Sequence, residues 1–300
     1  MAEFTPMMQQ YLQTKEEYKD CILFYRLGDF YEMFFEDAEL VSKELELTLT
    51  GKNCGMEERA PMCGIPYHAV EGYLNKLVAN GHKVAICEQV EDPKLAKGLV
   101  RREVIRIVTP GTNLDMQALD ESKNNYIMCI VYLADRYGVS IADVSTGDYY
   151  VTEVDSERKL FDEITKFSPS EIICNESFYM SGVDIEDLRH RLKITIYALE
   201  TWYFGDELAE TTLLTHFKVK SLEALGLADY DCGMIAAGAL LKYLYETQKN
   251  DLNNISVIHP YSTGKYMIID SSTRRNLELV ETLREKQKRG SLLWVLDKTK

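Results

Sequence analysis

The sequence lacks the features of a membrane-inserted or secreted protein. It has no apolar run of about 18 residues, so a membrane-spanning helix is excluded. Its first residues lack the basic and then apolar segments of a signal peptide. Its seven cysteines are scattered and never form a Cys-x-x-Cys pair, which is typical of free thiols in a reducing cytoplasm. We therefore expect a cytoplasmic protein with mostly buried thiols.

Two common kinds of ligand site are also missing. The 300 residues contain no Gly-x-x-x-x-Gly-Lys-Ser/Thr loop that could cradle phosphates, so we expect no ATP site in this stretch. Cys54, Cys63, His68, His82 and Cys87 lie close together in sequence, but their spacing matches no zinc module. We expect neither a bound nucleotide nor a bound metal here.

Positive charge is scarce relative to negative charge, and the net charge differs between segments of the chain. The formal net charge is -14, made up of -5 in residues 1–112, -12 in residues 113–265 and +3 in residues 266–300. An acidic chain gains little affinity for DNA from counterion release, although a local basic surface is still compatible with that charge. Charge alone argues against nucleic acid as a partner.

Apolar periodicity and turn residues indicate a small mixed α/β domain in residues 1–112. Thr5-Pro6 is typical of a helix start. Gly28-Asp29 should break a first strand and precede a helix with Phe34, Phe35, Ala38 and Val41 on its apolar side. The pattern predicts strands over residues 22–25, 45–50, 84–87 and 104–108, a loop over 51–60, and a helix over 68–80 that ends at Gly81.

A second α/β domain is predicted over residues 126–260, after a linker at 113–125. Strands at 126–133, 139–144 and 149–154 form a meander, followed by a helix at 160–167, a strand at 171–174 and a buried helix at 234–248. This order fits a ribonuclease-H-like fold. Residues 267–270 should lead into a helical segment at 273–286 that begins a third unit, residues 261–300. The absence of a helix stop signal near residue 300 predicts a truncated chain.

The stretch from Phe24 to Phe34 allows two interpretations. Asp29 and Glu32 have nearly the spacing of a capping box, which would place Glu32 at a helix start and Phe30 in the core. The alternative is that both side chains face a ligand. Local spacing alone favours the capping box.

Several separate motifs, in the right order from end to end, resemble the MutS family of DNA mismatch-repair proteins. Those similar to its mismatch-binding domain are Thr5-Pro6-Met7-Met8-Gln9-Gln10-Tyr11, Phe24-Tyr25-Arg26-Leu27-Gly28-Asp29-Phe30-Tyr31-Glu32-Met33-Phe34, Gly64-Ile65-Pro66-Tyr67-His68-Ala69, Ala85-Ile86-Cys87-Glu88-Gln89 and Val108-Thr109-Pro110-Gly111-Thr112. Those that resemble the start of its lever region are Thr273-Arg274-Arg275-Asn276-Leu277-Glu278-Leu279 and Leu293-Trp294-Val295-Leu296-Asp297. The resemblance implies a mismatch-binding domain, a connector domain and the start of an α-helical lever domain.

The resemblance also assigns roles to individual residues. Phe30 corresponds to the family's wedge, which enters the minor groove and kinks the duplex, and Glu32 to the glutamate that contacts the displaced base. Lys52 and Arg102 correspond to basic residues that contact the DNA backbone. Lys52 stands where the family pattern has arginine, so its contact should be looser and purely electrostatic. For both cations the alternative is an ordinary solvated surface charge.

The implied function is recognition of mispaired or unpaired bases in double-stranded DNA at the start of mismatch repair. The resemblance implies a bacterial, nucleoid-associated protein, a MutL-type partner bound by the connector, a homodimer, and an ATPase that uses ATP and magnesium and lies outside these 300 residues. One alternative is a metal-dependent nuclease that uses Asp143 and Asp148 of the second domain. Two acids in a very acidic domain are, however, expected to be solvated. A purely structural scaffold is the third possibility.

Overall fold

The first sheet is built from the N-terminal 108 residues of a chain whose computed structural model describes residues 4–91, 98–115, 124–265 and 269–297. Its strands are β1 (Ile22–Leu27), β2 (Phe30–Phe34), β3 (Thr50–Lys52), β4 (Ala60–Pro66), β5 (Val84–Gln89) and β6 (Arg102–Val108). They are ordered β3-β4-β2-β1-β5-β6, and neighbours are antiparallel except β1 and β5. The helices are α1 (Pro6–Glu17), α2 (Phe35–Glu44) and α3 (Val70–Ala79).

Apolar side chains cover much of both faces of this sheet. Tyr31 and Met33 pack in a cluster with α2 and α3. On the opposite face Tyr25 and Phe34 pack against α1, where the Tyr11 ring centroid lies 4.8 Å from that of Phe34. Because strand side chains alternate between faces, successive residues of β2 enter different cores.

The helix predicted directly after Gly28-Asp29 is wrong. Residues 30–34 form β2, and Leu27 pairs with Phe30 across a two-residue turn. Gly28 has a φ of +60°, which suits the first central position of a type II′ hairpin turn. Helix α2 begins only at Phe35.

The strand predicted over residues 45–50 is also largely wrong, whereas the loop predicted over 51–60 is confirmed for residues 53–59. Leu45 is instead the C-cap of α2, where its backbone N–H donates to Val41 O, and its side chain packs in the core beside α2. Only Thr50 of the predicted segment lies in a strand, and β3 continues through Lys52. Strand β4 was not predicted, since its two prolines and one glycine are depleted in strands. The glycine stop is confirmed: α3 ends at Ala79, and Gly81 has a φ of +87°.

The second sheet confirms the mixed α/β fold class. Its strands are β7 (Tyr126–Leu133), β8 (Arg136–Asp143), β9 (Asp148–Val154), β10 (Glu171–Cys174), β11 (Thr195–Ala198) and β12 (His259–Pro260), ordered β11-β10-β7-β8-β9-β12. The meander β7-β8-β9 is antiparallel, and β10, β11 and β12 add in parallel. The helices are α4 (Glu157–Phe167), α5 (Ile185–His190), α6 (Asp206–Phe217) and α7 (Asp231–Gln248). As predicted, α7 is buried nearly all round.

The segment after β12 contains less helix than its sequence pattern predicts. Residues 267 and 268, at the start of the segment predicted to lead into this helix, lie outside the described residues. Helix α8 (Ser271–Asn276) ends ten residues before the predicted end at 286, and Glu278 and Lys286 have positive φ angles. Leu277 and Leu283 are exposed, so the helix lacks the tertiary packing that stabilises short helices. A further helix, α9 (Leu292–Leu296), follows. The predicted domain boundaries at 112, 125 and 260 stay predictions.

A buried carboxylate connects the end of the first sheet to the second. Glu171 accepts hydrogen bonds from the Thr109 hydroxyl, from the Gly111 backbone N–H at 2.9 Å and from the Tyr243 hydroxyl at 2.7 Å. Its side chain has no solvent exposure. Burial raises the pKa of Glu171 above its ordinary value, against the lowering effect of these hydrogen bonds. Within the described residues, no helix combines the length and hydrophobicity that crossing a membrane requires.

Candidate functional site

The four predicted site residues lie on one face of the first sheet, the face against which α1 packs. Glu32 is opposite Tyr25 on β1 and Gly64 on β4, so all three share this face. Phe30 shares it because it is two residues from Glu32 on the same strand. Lys52 pairs with Ala60, an even number of residues from Gly64. Arg102 also lies here, since its guanidinium carbon is 5.2 Å from the centroid of the Tyr25 ring.

Phe30 presents its ring at the hairpin end of β2. Its side chain is 47% exposed, whereas Phe34, on the same face of the same strand, is 1% exposed. On β4, Pro66 lies opposite Phe30 and Gly64 lies opposite Glu32. A Cβ on Gly64 would make ordinary contacts with Glu32 Cγ at 3.6 Å and Phe30 Cδ1 at 3.9 Å. The core alternative for Phe30 is therefore wrong, and so is the capping box, because Glu32 lies within a strand.

Glu32 and Lys52 form an ion pair on this face. Lys52 Nζ is 2.5 Å from Glu32 Oε2, and the lysine and glutamate side chains are 33% and 17% exposed, respectively. The same ammonium lies 5.6 Å from the centroid of the Phe34 ring. Lys52 lies at the end of β3 and not in the predicted loop. Its charge is already matched by the Glu32 carboxylate.

Arg102 has structural partners inside the domain. Its Nε donates to the Arg26 carbonyl at 2.8 Å, and its Nη1 donates to Val100 O at 2.8 Å and to Gln10 Oε1 at 3.1 Å. These bonds join β6 to β1 and to α1. A contact with the DNA backbone stays a prediction.

Sequence reasoning missed Tyr67 and Arg26, which lie beside the hairpin turn next to Phe30. The Tyr67 backbone N–H donates to Asp29 O at 3.0 Å, which holds it next to the hairpin turn, and its side chain is exposed. The Arg26 guanidinium carbon is 3.9 Å from the centroid of the Tyr67 ring, within cation–π range. Tyr67 stands in a motif that the resemblance used, but only the fold brings it next to residue 30.

The acids of the nuclease alternative are used structurally. Asp143 is buried, and its carboxylate accepts hydrogen bonds from the backbone N–H groups of Asn125, Ser145 and Thr146 and from the Ser145 hydroxyl. The expectation that it is solvated is therefore wrong. Asp148 accepts from Asn124 Nδ2 at 3.2 Å. The described part of the chain has no group of three or more His, Cys, Asp or Glu side chains arranged to hold a metal ion.

The cysteines near the site are buried free thiols, as their scatter predicts. Burial raises the pKa of Cys63 to about 11 and that of Cys87 to about 12. Both therefore stay as neutral thiols near pH 7, and a thiol must lose its proton before it can bind a metal well.

Comparison with known proteins identifies the family. The model of MutS domain I matches residues 5–117, and the model of MutS domain II matches residues 125–256. The chain belongs to the MutS family. All four predicted site residues lie within the match to MutS domain I, and β7 to β11 lie within the match to MutS domain II.

Curated MutS relatives align over the whole of this chain. The DNA mismatch repair protein MutS of Lachnoclostridium phytofermentans is 68% identical over 300 residues, covering 100% of this chain and 32% of the relative. Those of Acetivibrio thermocellus and Ruminiclostridium cellulolyticum are 54% and 53% identical, each covering 100% of this chain and 34% of the relative. The chain thus spans about a third of the length of these relatives.

Proposed function

We propose that this chain recognises mispaired or unpaired bases in double-stranded DNA and does so by inserting the Phe30 ring from the minor groove. One observation carries the proposal: two phenylalanines share one face of β2, yet Phe34 is buried and Phe30 is half exposed. If both rings belonged to the core, both would be buried, so the exposure of Phe30 sets it apart from Phe34. The exposed ring at a hairpin end is suited to enter a groove.

The physics of insertion explains how such a site can select mismatches without reading sequence. An apolar ring pushed between base steps costs a few kcal/mol of unstacking and kinks the duplex. A mispair has already lost part of its pairing and stacking energy, so it deforms at lower cost than an intact pair. Selectivity then comes from the deformability of the DNA.

Glu32 adds a penalty against intact DNA. Its carboxylate lies on the same face as Phe30 and two residues further along the strand. A negative charge beside phosphates disfavours binding unless it gains a hydrogen bond in return, and a displaced base offers one. We assign Glu32 this contact and Arg102 a supporting role, because Arg102 joins β6 to β1 and α1 on the same face of the sheet.

The wider functions come from the relatives and from the sequence resemblance. The relatives' name attributes DNA mismatch repair to proteins about three times as long as this chain. By this similarity we propose that domain II contacts a MutL-type partner, that the full protein forms a homodimer in the bacterial cytoplasm, near the nucleoid, and that ATP and magnesium act in a part outside these residues. We propose that the 300 residues themselves bind DNA and are not an enzyme.

A titration of mismatched and perfectly paired duplexes tests the proposal in the full-length protein. Phe30→Ala should reduce the ratio of the two affinities to about one, while the loss of a half-buried ring costs only about 1 kcal/mol of stability. Trp202→Ala is the matched control, since Trp202 is 46% exposed but lies in domain II. If Phe30→Ala stays folded and keeps the wild-type ratio, Phe30 is not the wedge.

A further inference from the structure

We infer that Lys52 acts on DNA through Glu32, as the counter-ion that orients this carboxylate and neutralises its charge, and not as an independent phosphate contact. The inference rests on the proposed function of Phe30 and Glu32. It makes Lys52 a positioning residue that sets how strongly Glu32 opposes the entry of a duplex.

The contact geometry is the first support. Lys52 Nζ lies 2.5 Å from Glu32 Oε2, within the range of a charge-assisted hydrogen bond. Among the described residues, no other Lys, Arg or His side chain lies within 4.0 Å of this carboxylate. Lys52 therefore supplies the cation that Glu32 faces in the DNA-free protein.

The strand arrangement is the second support, because it makes this contact possible across an intervening strand. Strand β4 lies between β3 and β2 and has Ala60 opposite Lys52 and Gly64 opposite Glu32. Met62 lies between Ala60 and Gly64 on this face, so only the two positions directly opposite the pair carry small side chains, and the long lysine side chain extends along the sheet to reach Glu32. The Phe34 ring, 5.6 Å from the ammonium, adds a cation–π contact at the same place.

Partial burial increases the cost of leaving the Glu32 charge without a counter-ion. Glu32 is 17% exposed, so its carboxylate is less well hydrated than that of an ordinary surface glutamate. Without Lys52 an unmatched negative charge would remain beside the exposed Phe30 ring and would repel every duplex. The Lys52 ammonium is already paired with this carboxylate and is not free to bind a phosphate. Loss of the ammonium should therefore not remove a phosphate contact.

A double-mutant cycle in the full-length protein tests the inference. Lys52→Met and Glu32→Gln are made singly and together, and the affinities for mismatched and perfect duplex are measured at several salt concentrations. Coupling within such a pair predicts that Lys52→Met weakens binding about tenfold in the wild-type background but at most about threefold in the Glu32→Gln background. The slope of log affinity against log salt should not change with Lys52→Met, and Lys52→Arg should restore binding.

The opposite pattern identifies a phosphate contact. Equal losses from Lys52→Met in both backgrounds, with a slope reduced by about one, overturn the inference. Lys159→Met is the control, because it removes one lysine from an ion pair with Asp155 at 2.7 Å on the connector and should leave DNA binding unchanged. If Phe30→Ala abolishes selectivity but the cycle shows no coupling, only the role of Lys52 fails. If Phe30→Ala keeps selectivity, the proposed function and this inference fail together.

Discussion

Replacement of Glu171 by alanine should unfold the junction between the two sheets. The substitution removes the acceptor for the Thr109 hydroxyl, the Gly111 N–H and the Tyr243 hydroxyl, and all of these groups surround a fully buried side chain. A buried polar group left without a partner costs about 1–3 kcal/mol. Three such groups lose their shared partner, and water entering the vacated space offsets part of this cost. We therefore expect a loss of about 3–5 kcal/mol.

The difference in stability between the wild type and the conservative variant Glu171→Gln, measured across pH, checks the same reasoning. Burial raises the pKa of Glu171, so the folded state favours the protonated form. The contribution of protonated Glu171 to the stability of the folded state is complete below the unfolded pKa of about 4.3. It is lost as pH rises through the higher folded pKa. Glu171→Gln lacks this titration. The stability of the wild type relative to Glu171→Gln should therefore fall as pH rises from about 4.

Urea unfolding followed by far-UV circular dichroism measures both effects. Glu210→Ala, at an exposed position on α6, is the control and should change stability by less than about 0.5 kcal/mol. A Glu171→Ala variant as stable as the wild type would refute the role of the junction. An advantage of the wild type over Glu171→Gln that grows with pH would contradict the direction of the pKa shift.

The remaining predictions concern the site and the chain as a whole. Phe34→Ala should lower the free energy of unfolding by about 3–5 kcal/mol in a denaturant titration, because this ring is buried against Tyr11; a loss below about 1 kcal/mol would contradict its place in the core. Glu32→Gln should tighten binding to perfect duplex more than to mismatched duplex, which a paired titration measures; unchanged perfect-duplex affinity would remove the repulsive role. The 300-residue chain alone should bind mismatched DNA weakly at physiological salt, because a net charge of -14 provides little counterion release; tight, selective binding in a filter or anisotropy assay would disprove this. The same chain should not hydrolyse ATP, for want of a phosphate-binding loop.

The second sheet shows where sequence patterns suffice. The strands predicted at 126–133 and 171–174 match β7 and β10, and those at 139–144 and 149–154 differ from β8 and β9 by a few residues at their ends. These segments are rich in β-branched and aromatic residues, so local preference and burial agree. The helix at 234–248 was predicted for the same reason: its apolar residues surround the whole helix.

Strand β2 shows where local patterns mislead. Asp29 and Glu32 imitate a capping box, and the adjacent Phe34 and Phe35 conceal the point at which the strand gives way to α2. Pairing with β1 and β4 on both sides decides the outcome. These pairings depend on residues far apart in sequence, and no local propensity contains that information.

The sequence supplied candidate site residues but not their contacts. The resemblance pointed to Phe30, Glu32, Lys52 and Arg102, and the structure places all four on one face of the sheet. The ion pair of Lys52 with Glu32 depends on β3 and β2 flanking β4, and the internal bonds of Arg102 depend on β6 lying near α1. A sequence motif shows which side chains are present, whereas their partners follow from the fold.

The fluorescence of 2-aminopurine placed within a mispair tests wedge insertion most directly, because this base analogue brightens when it is unstacked. With saturating full-length wild-type protein we expect a clear rise in fluorescence for the mispaired duplex and little change for the perfect duplex. Phe30→Ala, at concentrations that also saturate the DNA, should give no rise. An equal rise with Phe30→Ala would show that another group unstacks the base and would contradict the central claim.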